Sequence, residues 1–425
     1  MFEIKGKYAT AICYAKVVEE TAIAQIKTLC DYELSSGCKV RIMPDVHAGR
    51  GCTIGTTMTI RDRICPNVVG VDIGCGMYTV QLAEQSIDFE KLDACVHEIP
   101  SGMKVWPGRI ARFTLENLRC YRALRDTKRI ERAIGTLGGG NHFIEIDQSD
   151  DGEYYLVIHS GSRNLGKQVA GLYQQLAIDL HQGKGEFFQK KEAVIREYKN
   201  NGRRKEIQGI LRQMEKEFKA QELDIPESLC WLEGEHMADY LHDVAICQEY
   251  AKCNREKMAE LIIKGMAFEV KEAFHTVHNY IDIDERILRK GAVSAKQQEK
   301  ILIPINMRDG SILALGKGNT EWNNSAPHGA GRLMSRGRAK EELSIDAYRE
   351  SMAGVYTTSV NEYTLDESPM AYKSIDDIMT VVNESVDVIK VIRSVYNFKA
   401  SDEDAPWHKG KQNKANEEEI EQKEI

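Results

Sequence analysis

From Met1 to about Leu180 the chain is written in short apolar runs set between glycine-rich turns, as in "NVVGVDIGCGMYTVQL" and "YYLVIHSGSRNLG". Runs rich in Val, Ile and Tyr and bounded by glycine predict strands, several of them fully buried. The texture changes at about Gly183. From there to Met266 the sequence is charged and helix-favouring, and in "KKEAVIREYKNNGRRKEIQGILRQMEKEFKAQ" apolar residues recur at three and four, as on one helix face. Strand-like text returns at "KILIPINMRDGSILALG", with further helices from about Ile345. The pattern predicts an α+β body with a helical subdomain inserted at 183–266.

A chain of 425 residues can bury a large core, and 42% hydrophobic with 29% charged residues is ordinary for a globular protein. No run approaches the roughly 18 apolar residues of a membrane span. The start, "MFEIKGKYATAICYAKVVEE", lacks the layout of a signal peptide, so a cytoplasmic protein is expected. Eleven cysteines with no CxxC pair argue against a disulfide framework and against a zinc ribbon. Charge is segregated. The net charge is −8, and Ser401–Ile425 holds eight acidic residues against four Lys, which predicts a disordered acidic tail over 400–425. The segment Lys184–Lys219 runs the other way, with eleven Lys or Arg against six Glu, and such local fields matter to a polyanionic partner.

Chemistry-bearing residues gather at the glycine turns. In "GVDIGCGMY", Asp72 and Cys75 share one tight turn between apolar strands. A carboxylate and a thiolate there make half of a metal site, while the plainer reading is a buried Cys in a β-turn. "LGGGNHFIEI" sets Asn141, His142 and Glu145 after another glycine turn, and "LVIHSGSRN" puts His159 at a strand end. The Gly/Ser turn that follows can form an anion nest, with Arg163 as a fork for phosphate. "FHTVHNYIDI" offers His275 and His278 three apart, a spacing that fits one helix face, with Asn279 beside them. Each histidine alone can be a satisfied core residue. Together Asp72, Cys75 and three of these histidines form a mixed hard–soft set able to hold two divalent ions, with Cys75 as a bridge. In "SAPHGAGRLMSR", His328 stands against a Gly-Ala-Gly run. If it is not a ligand, it faces the metals as a nucleophile toward phosphorus.

The motifs "MPDVHAGRG", "GVDIGCGM", "GGGNHFIEI", "HSGSRNLG", "HNY", "RKGAVSA" and "HGAGRLMSR" run in this order from Met43 to Arg336, and "AYKSIDDI" with "VYNFK" extends the series to Lys399. In them the chain resembles the RtcB family of RNA ligases. The resemblance implies one large ligase domain over 1–399. It implies a GTP- and Mn²⁺-dependent enzyme that joins RNA 3′-phosphate or 2′,3′-cyclic-phosphate ends to 5′-hydroxyl ends, in RNA repair or tRNA splicing. One manganese would be held by Asp72, Cys75 and His142, the other by Cys75, His159 and His278. His328 would carry GMP. The nucleotide pocket would draw on Asn141, His142, Phe143, Ile144, Glu145, His278, Asn279, Pro304, Ile305, Asn306, Met307, Ser311, His328, Gly329, Ala330, Gly331, Tyr372 and Lys399. Glu145 would read the guanine N1–H and N2 amine, and Lys399 would donate to O6. Arg163, Arg332 and Arg336 would meet RNA phosphates. A monomer is expected, with an archease-type activator as a further partner.

Two departures mark this chain within the resemblance. In "IPINMRDGS", Ile305, Asn306 and Arg308 stand where the family has a small-residue turn, and the chain continues past Lys399 to Ile425. Arg308 can reach a nucleotide phosphate or the RNA end, or it can point to solvent over a packed Ile305. Two other functions use the same ligand types: a dinuclear metal phosphoesterase, and a non-catalytic protein that binds or caps RNA ends.

Overall fold

The computed structural model describes residues 1–218 and 221–400. Of the tail expected to be disordered over 400–425, all but Ala400 lies outside the described residues. The fold is a mixed α+β one, built on two large sheets. One has six strands in the order Phe2–Lys5, Thr10–Cys13, Val40–His47, Ile54–Thr59, Ile287–Lys290, Asn279–Asp282. The other has seven, in the order Val270–Val277, Gly76–Leu82, Tyr154–Ser160, Phe143–Ser149, Val386–Lys399, Gly310–Gly316, Lys300–Asn306. All neighbouring pairs of the seven-stranded sheet are antiparallel.

Period-two alternation decides which side chains of this sheet reach the site. In Phe143–Ser149, Ile144 and Ile146 face a core shared with Leu156, Ile158 and Phe398, against Leu92 and Val96 of helix Phe89–His97 and Met258 and Ile262 of helix Gly234–Met266. Phe143, Glu145 and Asp147 therefore share the opposite face. There Phe143 packs with Met77, Val157, Leu302 and Leu313 in a second apolar cluster. The sheet curls so far that its two edge strands meet, the Leu302 amide donating to Thr276 Oγ1 at 3.0 Å.

The stretch read as one helical insertion divides into unlike parts. Helices Lys184–Asn200 and Ile207–Glu217 bury no residue and lean on each other through the Phe187–Phe218 ring contact and the Lys191–Glu215 ion pair at 2.8 Å. The long helix Gly234–Met266, by contrast, runs through the body, burying Tyr240, Val244, Cys247, Tyr250, Met258 and Ile262. No helix among the described residues is long and apolar enough to cross a membrane.

The histidine pair at 275 and 278 departs from expectation. His275 lies in strand Val270–Val277, not on a helix, and His278 follows the strand's end. A spacing of three sends strand side chains to opposite faces. His275 stacks on Tyr78 at 4.3 Å and meets Glu256 Oε1 at 3.2 Å, away from the other candidate ligands.

Candidate active site

Glycine turns carry the candidate ligands to one point. Cys75 Sγ lies 3.3 Å from His159 Nε2 and 3.4 Å from His142 Nε2, and all three side chains are buried. His278 Nε2 stands 3.3 Å from His159 Nε2, and Asp72 Oδ2 stands 3.0 Å from His142 Nε2. The structure thus brings together the five residues read as ligands. Gly161 makes room for the carboxylate, because a Cβ at that position would overlap Asp72.

The ring orientations are fixed from behind. His142 Nδ1 donates to the Leu137 carbonyl at 2.9 Å, and His159 Nδ1 donates to the Asn141 carbonyl at 3.1 Å. In a neutral imidazole the other nitrogen then carries the lone pair. Both Nε2 atoms point at Cys75, and that of His142 meets the Asp72 carboxylate as well. Burial first, then neighbouring imidazoles, hold His159 and His278 well below the usual histidine range, so both rings are neutral. Burial and the Asp72 charge push the Cys75 thiol up, so a thiolate there needs a cation beside it. Side-chain atoms of ligand type converge at these distances, and Cys75, His142 and His159 form a group able to hold a metal ion. The residues fit a divalent ion.

His328 stands beside this cluster, its ring 5.1 Å from the His278 ring. It directly follows the short strand Ser325–Pro327, paired with Ala292–Ser294. Asp45, from strand Val40–His47, accepts from the His328 amide at 3.1 Å and from His328 Nδ1 at 2.6 Å. Because a carboxylate accepts, Nδ1 carries a proton here, and in the neutral ring Nε2 keeps its lone pair.

One cleft runs from the histidines to the end of strand Val386–Lys399. Of the residues read as nucleotide-binding, Asn141, Phe143, Glu145, His278, Pro304, Ile305, Asn306, Met307, His328, Gly329, Ala330, Gly331, Tyr372 and Lys399 line it. Four do not. Ile144 points into the apolar core on the sheet's other face. Ser311 is fully buried within its strand, Asn279 Oδ1 is taken by the Gly291 amide at 2.9 Å, and His142 belongs to the ligand cluster.

At the cleft's far end Glu145 accepts from Asn397 Nδ2 at 2.8 Å, and burial pushes its carboxyl up to about 8. Lys399 Nζ donates to Glu367 at 2.8 Å and lies over the Phe143 ring. Glu367 also accepts from the Tyr372 hydroxyl at 2.8 Å and pairs with Arg336 at 2.7 Å. Burial alone would raise the Glu367 carboxyl, but Lys399 and Arg336 outweigh it and hold it at about 2.

The three arginines read as phosphate contacts are placed differently. Arg332 and Arg336 line the cleft, though both are already engaged, Arg332 by the Asp366 carbonyl at 2.6 Å and Arg336 by Asp366 Oδ2 at 2.6 Å. Arg163 lies outside this cleft, its fork donating to Gly102 O at 2.7 Å and Thr136 Oγ1 at 3.2 Å. Arg308 is taken up by Asp309, at 2.8 and 3.0 Å, while Ile305 is buried in an apolar cluster. The sequence reading missed Asp45, His47, Glu367 and Asn397, all at the site. Asp45 and His47 lay in plain view in the quoted "MPDVHAGRG", and Asn397 in "VYNFK".

Fold and site together define a class: an α+β enzyme in which a carboxylate-backed histidine stands beside a cluster of side chains able to hold a metal ion, along one cleft. The chain belongs to the RtcB family, whose model, described as tRNA-splicing ligase RtcB, matches residues 33–121 and 114–400. It is 30% identical to the RNA-splicing ligase RtcB of Escherichia coli K12 over 398 residues, which cover 84% of this chain and 88% of that protein. It is 26% identical to the tRNA-splicing ligase RtcB of Aeropyrum pernix, with 80% and 83% covered. The RNA-splicing ligase RtcB2 of Escherichia coli ATCC 25922 is 24% identical, with 85% and 87% covered.

Proposed function

We propose that this chain is a GTP- and manganese-dependent RNA ligase that joins 3′-phosphate or 2′,3′-cyclic-phosphate ends to 5′-hydroxyl ends. The observation that carries the reading is the Asp45–His328 pair, set in the same cleft as Glu145 and Lys399. Asp45 holds the Nδ1 proton, so the Nε2 lone pair is free to attack the α-phosphorus of GTP. The phosphorus–oxygen bond to pyrophosphate breaks as the phosphorus–nitrogen bond forms, leaving GMP on His328. An oxygen of the RNA 3′-phosphate then takes the guanylate and frees the imidazole. The 5′-hydroxyl attacks the activated 3′-phosphorus, GMP leaves, and the phosphodiester closes. A cyclic phosphate is first opened by water to the 3′-phosphate.

Divalent ions held by Asp72, Cys75 and His142, and by Cys75, His159 and His278, would neutralise phosphate charge. Ionised Glu145 accepts from guanine N1–H and the N2 amine, and Lys399, steadied by Glu367, donates to O6. Adenine offers neither match, so the site selects guanine. The projecting pair of helices at 184–217 belongs to the same 1–399 ligase domain, acting on damaged RNA or on tRNA exons in the cytoplasm.

Incubation with radiolabelled GTP and Mn²⁺, then a denaturing gel, tests the reading. An acid-labile, base-stable adduct that maps to His328 and vanishes in His328→Ala is expected. Phosphate release from RNA ends with no nucleotide requirement and no adduct would replace the ligase with a phosphoesterase.

A further inference from the structure

Two adjacent residues of the long helix, Asn254 and Arg255, are buried to 0% and 1% exposure and make no contact with the nucleotide cleft. Their hydrogen bonds go almost entirely to the segments that carry the cluster. Asn254 Oδ1 accepts from the amides of Gly135 and Thr136 at 2.8 and 3.0 Å. Asn254 Nδ2 donates to Ser160 Oγ at 3.0 Å, and to the Thr136 and Gly161 carbonyls at 3.2 Å. Arg255 sends one nitrogen to both the Gly74 carbonyl at 2.7 Å and the Ser160 carbonyl at 2.8 Å.

These acceptors are not scattered through the body. Gly74 precedes Cys75, and Ser160 follows His159. Ser160 Oγ in turn donates to the Leu137 carbonyl at 2.8 Å, the same oxygen that receives His142 Nδ1. A single turn of one helix therefore fixes the backbone beside Cys75, the backbone beside His159 and the anchor of the His142 ring. A guanidinium is expensive to bury, and here its hydrogen bonds run to main-chain carbonyls and, at 3.5 Å, to His275 Nδ1. A lysine places its single donor nitrogen one bond nearer its own backbone, and it cannot also donate to His275 as the guanidinium Nε does.

We infer that Asn254 and Arg255 are positioning residues for the metal cluster, clamping the Cys75, His159 and His142 segments so that their donor atoms converge before any ion arrives. The inference rests on the metal reading of the cluster. Partners that orient ligands without touching the metal govern affinity through preorganisation. The clamp works at the level of the ligand-bearing backbone, one bond further out than the carbonyls that hold the two imidazoles.

The test uses Co²⁺ as a spectroscopic probe on the full chain, in the parent and in Arg255→Lys, Arg255→Met and Asn254→Ser. The parent should show a thiolate-to-cobalt charge-transfer band that saturates on titration. Arg255→Lys and Asn254→Ser should keep the parent's far-ultraviolet circular dichroism and melt within a few degrees of it. Their cobalt affinity should fall about ten- to hundred-fold, with a weakened charge-transfer band. Arg255→Met should lose more than Arg255→Lys. Titrations in folded Arg255→Lys and Asn254→Ser that superimpose on the parent's would overturn the inference. Affinity that falls only in step with loss of the fold would overturn it as well. If the parent itself gives no thiolate–cobalt band, the metal reading fails and takes this inference with it.

Discussion

Asp45 Oδ2 and His328 Nδ1, 283 residues apart in sequence, lie 2.6 Å apart. The contact fixes the tautomer of the histidine and turns its other nitrogen outward. Asp45 Oδ1 is buried without a hydrogen-bond partner, so the carboxylate is held for this pairing rather than shared within a wider network.

Asp45→Ala should therefore slow GMP labelling of His328 by about 10²- to 10⁴-fold. It should leave divalent-metal binding close to the parent value, because Asp45 is not in the cluster. Quench-flow labelling beside metal analysis separates the two. Unchanged labelling would remove Asp45 from the chemistry.

Glu145 gives a pH dependence with a defined sign. In the folded protein burial pushes its carboxyl up to about 8, yet reading guanine requires the ionised form. Nucleotide binding must then release a proton below pH 8. Affinity for GTP should rise about ten-fold per pH unit up to about 8 and level off above it. The same raised value means that the empty protein binds more protons here than the unfolded chain, so this group's contribution to stability falls as pH rises from about 4.5 toward 8. Calorimetry of GTP binding in buffers of different ionisation enthalpy would count the proton, and zero uptake or release at pH 7 would remove Glu145 from base recognition.

Glu367 works in the opposite direction. Its carboxyl is held at about 2 against an ordinary 4.5, so its stabilising effect is fully present above about pH 4.5 and is lost as pH falls toward 2. Glu367→Ala leaves the buried Lys399 without its carboxylate, while Arg336 keeps Asp366, and the loss should cost about 3–5 kcal/mol. Denaturant midpoints at pH 7 would measure this. The substitution should also raise the GTP concentration needed for labelling, as Lys399 loses its tether.

Arg308 should matter little. Both of its contacts go to Asp309 and its side chain is 44% exposed. Arg308→Gly is expected to label with GTP within two-fold of the parent, and ATP should not label either protein. A larger change would place the guanidinium against a phosphate after all.

The clustered residues could be singled out in the sequence because each sits on a glycine turn or at a strand end, positions whose local chemistry is odd for a core. Asp45 and Glu367 were harder to see. Their roles exist only through partners far along the chain, His328 for one and Lys399 for the other, and no periodicity signals such a pairing. Ile144 shows the limit from the other side. It sits between two cleft residues in a matched motif, and only strand alternation sends it to the core. At His275 and His278 a spacing of three suggested a helix, but the β-branched and aromatic neighbours in "FHTVHNYI" were the better guide. The helices at 184–217 were readable from composition, whereas the deep packing of Gly234–Met266 was not.

Strand Val386–Lys399 is the last element described, and it lies between Phe143–Ser149 and Gly310–Gly316 in the middle of its sheet. A ribosome makes every ligand of the cluster before it makes this strand. Until it emerges, the growing sheet exists as two halves with open edges, a state prone to stray pairing. Insertion of one strand then joins the halves and delivers Asn397 and Lys399 to the cleft. Cys75, His142 and His159 all precede this strand, so their cluster can form before Asn397 and Lys399 complete the far end of the cleft.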